Sequence, residues 1–333
     1  MRIIVDGMGG DHAPGEIVKG SLEAVKEYGI HITLTGDSQR LEQELRNLKA
    51  PMDSFTIVHA SQLITMEESP VAAIRRKKDS SMVRAMEMIR EDSNSVLISA
   101  GSTGALLAGG LLKVGRIKGI DRPALTSLLP NRKNGTLLLD MGANTECKPE
   151  NLLQFAIMGK IYMEKVLSRK NPTVGLLNIG TEETKGSELY KSAHQMMKKA
   201  ENLNFIGNVE ARDVPEGVVD ILVCDGFTGN IVLKYTEGLA LSLFGMLKEL
   251  MMKNTISKLA ALMLKPGLRQ FKKTMDYAEV GGAPLLGIKG GIIKAHGSSN
   301  ATAVKNAIRQ GKLFLENKVL ESIQSSVTAI GDD

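Results

Sequence analysis

A chain of 333 residues with 43% hydrophobic and 24% charged content has the material for a large core, in one big domain or two smaller ones, and is neither disordered nor fibrous. Its 42 basic residues exceed 37 acidic ones, leaving a net charge of +5, a mild bias towards phosphates, acidic proteins or an anionic membrane surface. With 34 glycines, 4% aromatics and no Trp, the composition suits an α/β enzyme with chemistry on its loops and weighs against a nucleic-acid binder built on stacked rings.

Arg2–Val5 reads as a buried strand directly after Met1, so no secretory leader is expected. The glycine-rich turn Asp6–Pro14 follows, then a helix to Tyr28 that stops before Gly29. The turn reads G-M-G-G, not G-x-G-x-x-G, so the dinucleotide fingerprint is weak and no cofactor is expected. Asp11 and His12 are site candidates, with helix capping as the plainer role of Asp11. Ile32–Thr35, Leu41–Leu48 and Phe55–Val58 continue a strand, helix, strand alternation, which predicts a parallel sheet wrapped by helices.

Acids at Glu67 and Glu68 and the cations Arg75, Arg76, Lys77 and Lys78 bracket a helix and complement its dipole. Four contiguous cations exceed what that needs, and they are candidates to grip an acidic partner. Ser80 or Ser81 caps a helix through Arg90, and strand Ser95–Ser99 leads into Ala100–Gly110, with Ser102 and Thr103 where a ligand can approach. Ala124–Leu129 and Thr136–Leu139 read as a hairpin ending in Asp140-Met141-Gly142-Ala143-Asn144. Pro149 starts a helix reaching about Leu167.

The stretch Asn178–Gly186 stands between the apolar run Val174–Leu177 and the helical pattern Ser187–Ala200. A strand end, polar turn and helix start aim unpaired N–H groups at a phosphate-sized volume, with Gly180 and Gly186 for close approach, Thr181 and Thr184 as hydroxyl donors and Lys185 as a charge. The same residue types serve ordinary capping, so both readings stand.

Strands at Phe205–Gly207 and Val218–Val223 follow, the second delivering Cys224-Asp225-Gly226-Phe227-Thr228-Gly229-Asn230 before a helix. Asn230 is placed to donate to a carbonyl oxygen gaining charge. Cys224, with no His nearby in sequence, reads as a packed thiol. With Cys147 it completes the cysteine content, which defines neither a disulfide framework nor a metal site; a reducing cytoplasm and no metal are expected.

From Glu237 to Lys273 the pattern changes. Leu239, Leu243, Met246, Leu247, Leu250 and Met251, then Ile256, Leu259, Ala260 and Met263, keep helical spacing beside Lys248, Lys253, Lys258, Lys265, Arg269, Lys272 and Lys273. Such a face, with Met252 beside it, suits an interfacial membrane helix or a dimer interface equally. No run reaches the ~18 apolar residues of a bilayer span. Gly281–Gly287 reads as a tight turn, Ile288–Ile293 as a strand, and His296, Ser298 and Asn300 as a last polar set before the final long helix. Five such polar strand ends converging on one sheet edge would form a catalytic cleft.

The blocks Val5–Asp11, Ser99–Ala105, Asp140–Asn144, Asn178–Glu182, Asp225–Asn230 and His296–Asn300 resemble, in order and over nearly the whole chain, the signature blocks of bacterial acyl-acyl carrier protein:phosphate acyltransferases of the PlsX type. The resemblance implies a three-layer α/β/α fold like that of phosphotransacetylase and isocitrate dehydrogenase, over 1–333 as a single catalytic domain with 237–275 as an amphipathic helical insertion. It implies conversion of acyl-acyl carrier protein and inorganic phosphate into acyl phosphate. It also implies a cytoplasmic, membrane-associated homodimer whose product feeds a membrane-bound glycerol-3-phosphate acyltransferase.

On that reading the 178–186 turn holds phosphate, Asn230 and Asn144 stabilise the oxyanion, and His296 or His12 supplies the proton to the thiolate. Asp140 and Asp225 orient donors, and the run at 75–78 docks the acidic carrier protein. The rivals are a nicotinamide-dependent decarboxylating dehydrogenase on the same sheet, which needs clustered metal-binding aspartates, and a non-catalytic peripheral membrane scaffold acting through 237–273.

Overall fold

The computed structural model of the protein describes residues 1–275 and 281–331; the side chains of 269–275 and 328–331, and with them Arg269, Lys272 and Lys273, lie outside the description. Eleven described strands form one sheet: β1 (Arg2–Asp6), β2 (Ile32–Gly36), β3 (Phe55–His59), β4 (Ser95–Ser99), β5 (Ala124–Leu129), β6 (Thr136–Leu139), β7 (Thr173–Asn178), β8 (Asn204–Glu210), β9 (Ile221–Val223), β10 (Ala283–Leu286) and β11 (Gly291–Lys294). Their order is β3-β2-β1-β4-β11-β10-β5-β6-β9-β7-β8.

Alternate side chains of each strand feed opposite layers, which makes the three-layer sandwich. Ile3 and Val5 of β1 pack with Ile17, Val18 and Leu22 of α1 (Gly15–Tyr28) and Val304 and Ile308 of α10 (Ala301–Glu316). Ile4 between them packs the other way, with Met86 and Ile89 of α4 (Ser81–Glu91) and Leu106 of α5 (Thr103–Gly109). In the other half Leu137, Leu139, Val174 and Val223 pack on α6 (Pro149–Lys165) and α7 (Glu188–Lys199), while Leu138, Leu222 and the fully buried Cys224 face the opposite side.

Local chemistry sets the helix limits. Asp37 accepts from Arg40 N (3.1 Å) at the start of α2 (Ser38–Asn47), Ser80 accepts from Val83 N (3.4 Å) at the start of α4, and Gly29 ends α1 in a left-handed cap with φ 61°. Three boundaries depart from expectation. The turn expected at 281–287 contains the buried strand β10, the final helix is broken at Asn317-Lys318 before α11 (Val319–Gly331), and α3 (Pro70–Arg76) ends before Lys77 and Lys78.

The convergence of five strand ends on one sheet edge is also corrected. β1, β4 and β11 run parallel, β10 is antiparallel to β11, and β5 is antiparallel to β10. β6 then turns back along β5, with β9, β7 and β8 parallel to it. The C-terminal ends of β1, β4 and β11 therefore lie at the opposite edge from those of β6, β9 and β7.

Residues 237–275 belong to two long helices, α8 (Gly226–Met252) and α9 (Thr255–Met275), which break where expected, with Asn254 accepting from Ser257 N (2.8 Å). Only Gly226 and Gly229 of α8 are buried. Met252, Leu259, Ile256 (81% exposed) and Met263 (84% exposed) present an uncovered apolar surface, and Met251 is half-buried. Among the described residues no helix is long and apolar enough to cross a membrane.

Candidate active site

The two opposed sets of strand ends are bridged at the middle of the sheet. The four-residue strand β10 spans only about 13 Å, and a cavity of about 390 Å³ lies over Leu125 and Ser127 of β5 and Ala283 of β10. One end of its wall comes from the first half through Asp11, Thr103, Lys294 and His296; the other comes from Met141, Asn230, Leu233 and Lys234. Among the sequence candidates, Asn230, His296 and Thr103 thus share a cavity with apolar floor and polar ends.

At the Asn230 end the polar groups are held by each other. Asp140, with no exposed surface, accepts five hydrogen bonds: from Leu125 N (3.0 Å), Gly142 N (3.2 Å) and Ala143 N (3.1 Å) on Oδ1, and from Asn144 N (2.7 Å) and Asn144 Nδ2 (2.9 Å) on Oδ2. Burial raises its pKa above the ordinary carboxylate value, and those donors pull it back down. The second hydrogen of Asn144 Nδ2 goes to Pro123 O (2.7 Å), so both amide donors are engaged and the expected oxyanion role of Asn144 is corrected to one of holding this loop.

Asp225 caps α8, accepting from Thr228 N (2.9 Å), Thr228 Oγ1 (2.7 Å) and Tyr190 Oη (2.5 Å). The first turn of α8 lies against the Asp140 loop, since a Cβ at Gly229 would be 1.9 Å from Asp140 O. Gly142, at φ 134°, leaves room for the Asn230 amide, whose Nδ2 is 2.7 Å from where a Cβ would stand. The Asn230 side chain makes no hydrogen bond among the described residues and lines the cavity, so its N–H donors are available.

At the other end, Ser298 N donates to His296 Nδ1 (3.3 Å) and Ser298 Oγ lies 2.8 Å from the same nitrogen. Nδ1 being the acceptor, Nε2 carries the hydrogen of the neutral ring. Burial and then the Lys294 cation lower the His296 pKa, with Lys234 acting in the same sense and Glu237 and Asp11 opposing. The lowered pKa favours the neutral ring, which weighs against the expected part of His296 as proton source. Lys294, unmarked by sequence reasoning, is 8% exposed and donates through Nζ to Ala100 O (3.4 Å) and to Ala295 O.

Ser102 caps α5, accepting from Ala105 N (3.4 Å), and Asn300 caps α10, accepting from Ala303 N (3.0 Å). His12 is exposed and outside the cavity lining. No residue of 178–186 lines the cavity either. Gly180 is buried, Thr181, Thr184 and Lys185 are exposed, and Lys185 Nζ is 3.9 Å from Glu182 Oε1, while Asn178 Nδ2 donates to Lys185 O (3.1 Å) beside Gly186. The turn opens on the edge that bears the Asp140 and Asp225 loops, and Tyr190 of α7 ties it to Asp225.

Of the cationic run, Lys77 is engaged internally, donating to Glu68 Oε1 (2.7 Å) and Leu63 O (2.7 Å), whereas Arg75, Arg76 and Lys78 are exposed. Their helix begins beside the cavity wall at Thr103 and ends away from it with these cations. A Cβ at Gly104, next to Thr103, would be 2.7 Å from Pro70 Cγ.

Residues 1–322 match the family described as fatty acid synthesis protein. The chain is 57% identical to a phosphate acyltransferase of Alkaliphilus oremlandii over 333 residues, covering 100% of this chain and 99% of that one. It is 53% identical to a phosphate acyltransferase of Clostridioides difficile over 334 residues, covering 100% of this chain and 98% of the relative. A phosphotransacetylase structure from Streptococcus pyogenes superposes with a TM-score of 0.63 at 16% identity, covering 96% of this chain and 94% of the other, a likeness of fold.

Proposed function

We propose, from the premise that the chain belongs to the phosphate acyltransferase family of fatty acid synthesis proteins and is an acyltransferase, that it transfers a fatty acyl group from acyl carrier protein to inorganic phosphate. The product is acyl phosphate, and the reaction opens bacterial phospholipid synthesis. The observation that carries this reading is the Asn230 amide, unengaged and held by Gly142 and the Asp140 loop over an apolar-floored cavity.

The acyl thioester lies over Leu125 with its carbonyl oxygen towards Asn230, and Met141 and Leu233 exclude water around the chain. A phosphate oxygen attacks the carbonyl carbon. Asn230 Nδ2 donates to the oxygen as it becomes negative, and the C–S bond breaks as the carbonyl re-forms. Hydrogen phosphate is anionic at neutral pH, so positioning counts for more than a strong base. The 178–186 turn meets phosphate from the neighbouring strand end, through Lys185, Thr181, Thr184 and its backbone N–H groups. His296, set by Ser298, donates to the substrate from the opposite wall, beside Thr103.

Arg75, Arg76 and Lys78, at the far end of the helix that starts beside Gly104, dock the acidic carrier protein, and the exposed apolar residues of α8 and α9 seat the enzyme on an anionic membrane or on a second copy in a homodimer. Membrane seating delivers a lipid-soluble product to a glycerol-3-phosphate acyltransferase in the bilayer. The test is release of free thiol from acyl-acyl carrier protein. Release that saturates with phosphate and yields acyl phosphate is expected; release indifferent to phosphate would overturn the assignment.

A further inference from the structure

The reaction needs a proton for sulfur as the C–S bond breaks, and neither expected histidine is well suited to supply it: burial and the Lys294 cation lower the His296 pKa, and His12 stands outside the cavity. The remaining cations on the wall are Lys234 and Lys294. Lys234 is exposed and paired with Glu237 Oε2 (2.8 Å). Lys294 is different in kind. It ends β11, is only 8% exposed, and among the described residues has no carboxylate within ion-pair distance. Two of its three N–H bonds go to the carbonyls of Ala100 and Ala295, which fix the ammonium at the cavity wall, and the third has no protein acceptor among the described residues.

A buried cation without a direct counter-ion is costly unless it serves a partner that arrives with the substrate. We infer that Lys294 is the acid of the reaction, handing a proton from Nζ to the departing thiolate; the inference rests on the acyl-transfer reading.

The step balances without any further reactant. The C–O bond to phosphate forms, the C–S bond breaks with its electron pair on sulfur, and sulfur takes the proton from Lys294. The neutral amine then recovers a proton from the P–OH of the new acyl phosphate, so the hydrogen that entered on hydrogen phosphate leaves on the thiol. Burial suits the residue to both halves of this exchange: it lowers the Lys294 pKa to about 8, near that of an alkyl thiol, about 8.5. The groups facing it set the balance. Asp6 from the end of β1 and Asp11 from the loop beyond it favour the charged form, Lys234 from α8 opposes it, and His296 stands two residues along its own strand end.

Since an acid must start protonated, its contribution is present below pH 8 and lost as pH rises through that value. Wild-type kcat, measured as phosphate-dependent thiol release at saturating substrates, is expected to fall on a limb near pH 8. Lys294→Arg keeps the charge but cannot release a proton. It is expected to keep the phosphate KM within about twofold, to lose kcat by about a hundredfold or more at pH 7, and to lose the limb. Lys294→Met, which fills the same space without charge, is expected to show the same loss of kcat and of the limb with a melting temperature no lower than wild type, so a failure of the arginine variant to fold leaves the question answerable. A variant with wild-type kcat, a retained limb near pH 8, or a loss confined to phosphate KM would overturn the role. Absence of phosphate-dependent release by the wild type would instead overturn the acyl-transfer reading itself.

Discussion

Each end of the cavity is backed by a buried acid held by several donors, and the two ends differ in what stands beside that acid. Asp140 at the Asn230 end meets five donors, and its neighbours are held in loop and cap bonds, Asn144 through both amide hydrogens and Asp225 through three accepted bonds. At the other end Asp6 accepts from Ser99 Oγ (2.7 Å) and Met8 N (3.3 Å), and Lys294, whose charge it favours, keeps one donor without an acceptor among the described residues. The difference shows what distinguishes a framework from a reactive group. A buried polar residue with every bond satisfied fixes geometry, and one with capacity left over acts on what enters. Asn230 is the point at which the satisfied end lends its rigidity to an unengaged donor.

This contrast is sharpened first by Asn230→Ala, which removes the unengaged donor and leaves its support intact. The expected loss is about a hundredfold to a thousandfold in kcat, with phosphate KM little changed and the melting temperature preserved. A wild-type rate would remove Asn230 from the site. Asp140→Ala probes the framework instead. Stripping the acceptor from five donors is expected to cost about 3 kcal/mol of stability by chemical denaturation, with activity falling in proportion to the misplacement of Asn230. Unchanged stability would show that Asp140 is no framework for this end of the cavity.

Triple charge reversal at Arg75, Arg76 and Lys78 acts outside the cavity, so the apparent KM for acyl carrier protein should rise about tenfold and lose its salt dependence, at unchanged kcat. Identical kinetics would reject the docking surface. The smallest effect is expected from Lys185→Ala, about a fivefold rise in phosphate KM with kcat intact, the scale of one exposed charge. Wild-type phosphate dependence would remove the 178–186 turn from the site.

Much of the fold was legible because its strands are buried on both faces and read as apolar runs, as in Ser95–Ser99 and Val174–Leu177, with caps such as Ser80 and the glycine stop at Gly29 marking helix ends. The strand β10 was not. Its four residues sit between glycines at 281, 282 and 287, all at positive φ, and look like a turn until β5 and β11 are known to flank it. The reversal of strand direction was equally hidden, because it depends on C-terminal residues 283–294 inserting between β4 and β5, a pairing no local pattern records.

The polar strand ends were visible as candidates, but which of them have capacity left depends on partners far along the chain, Pro123 for Asn144 and Tyr190 for Asp225. Lys294 was lost among 42 cations, and its one sequence signal is a charge closing the apolar run Gly291-Ile292-Ile293 just before His296.

Occupation of the cavity over β5 and β10 by the thioester is tested most directly by placing a thiol on its floor. Ser127→Cys should react with a small maleimide, and saturating acyl-acyl carrier protein without phosphate should slow that labelling at least tenfold, read by mass spectrometry against the half-buried Cys147 in the same sample. Labelling at Ser127→Cys that proceeds at the same rate with and without the bound thioester would contradict it.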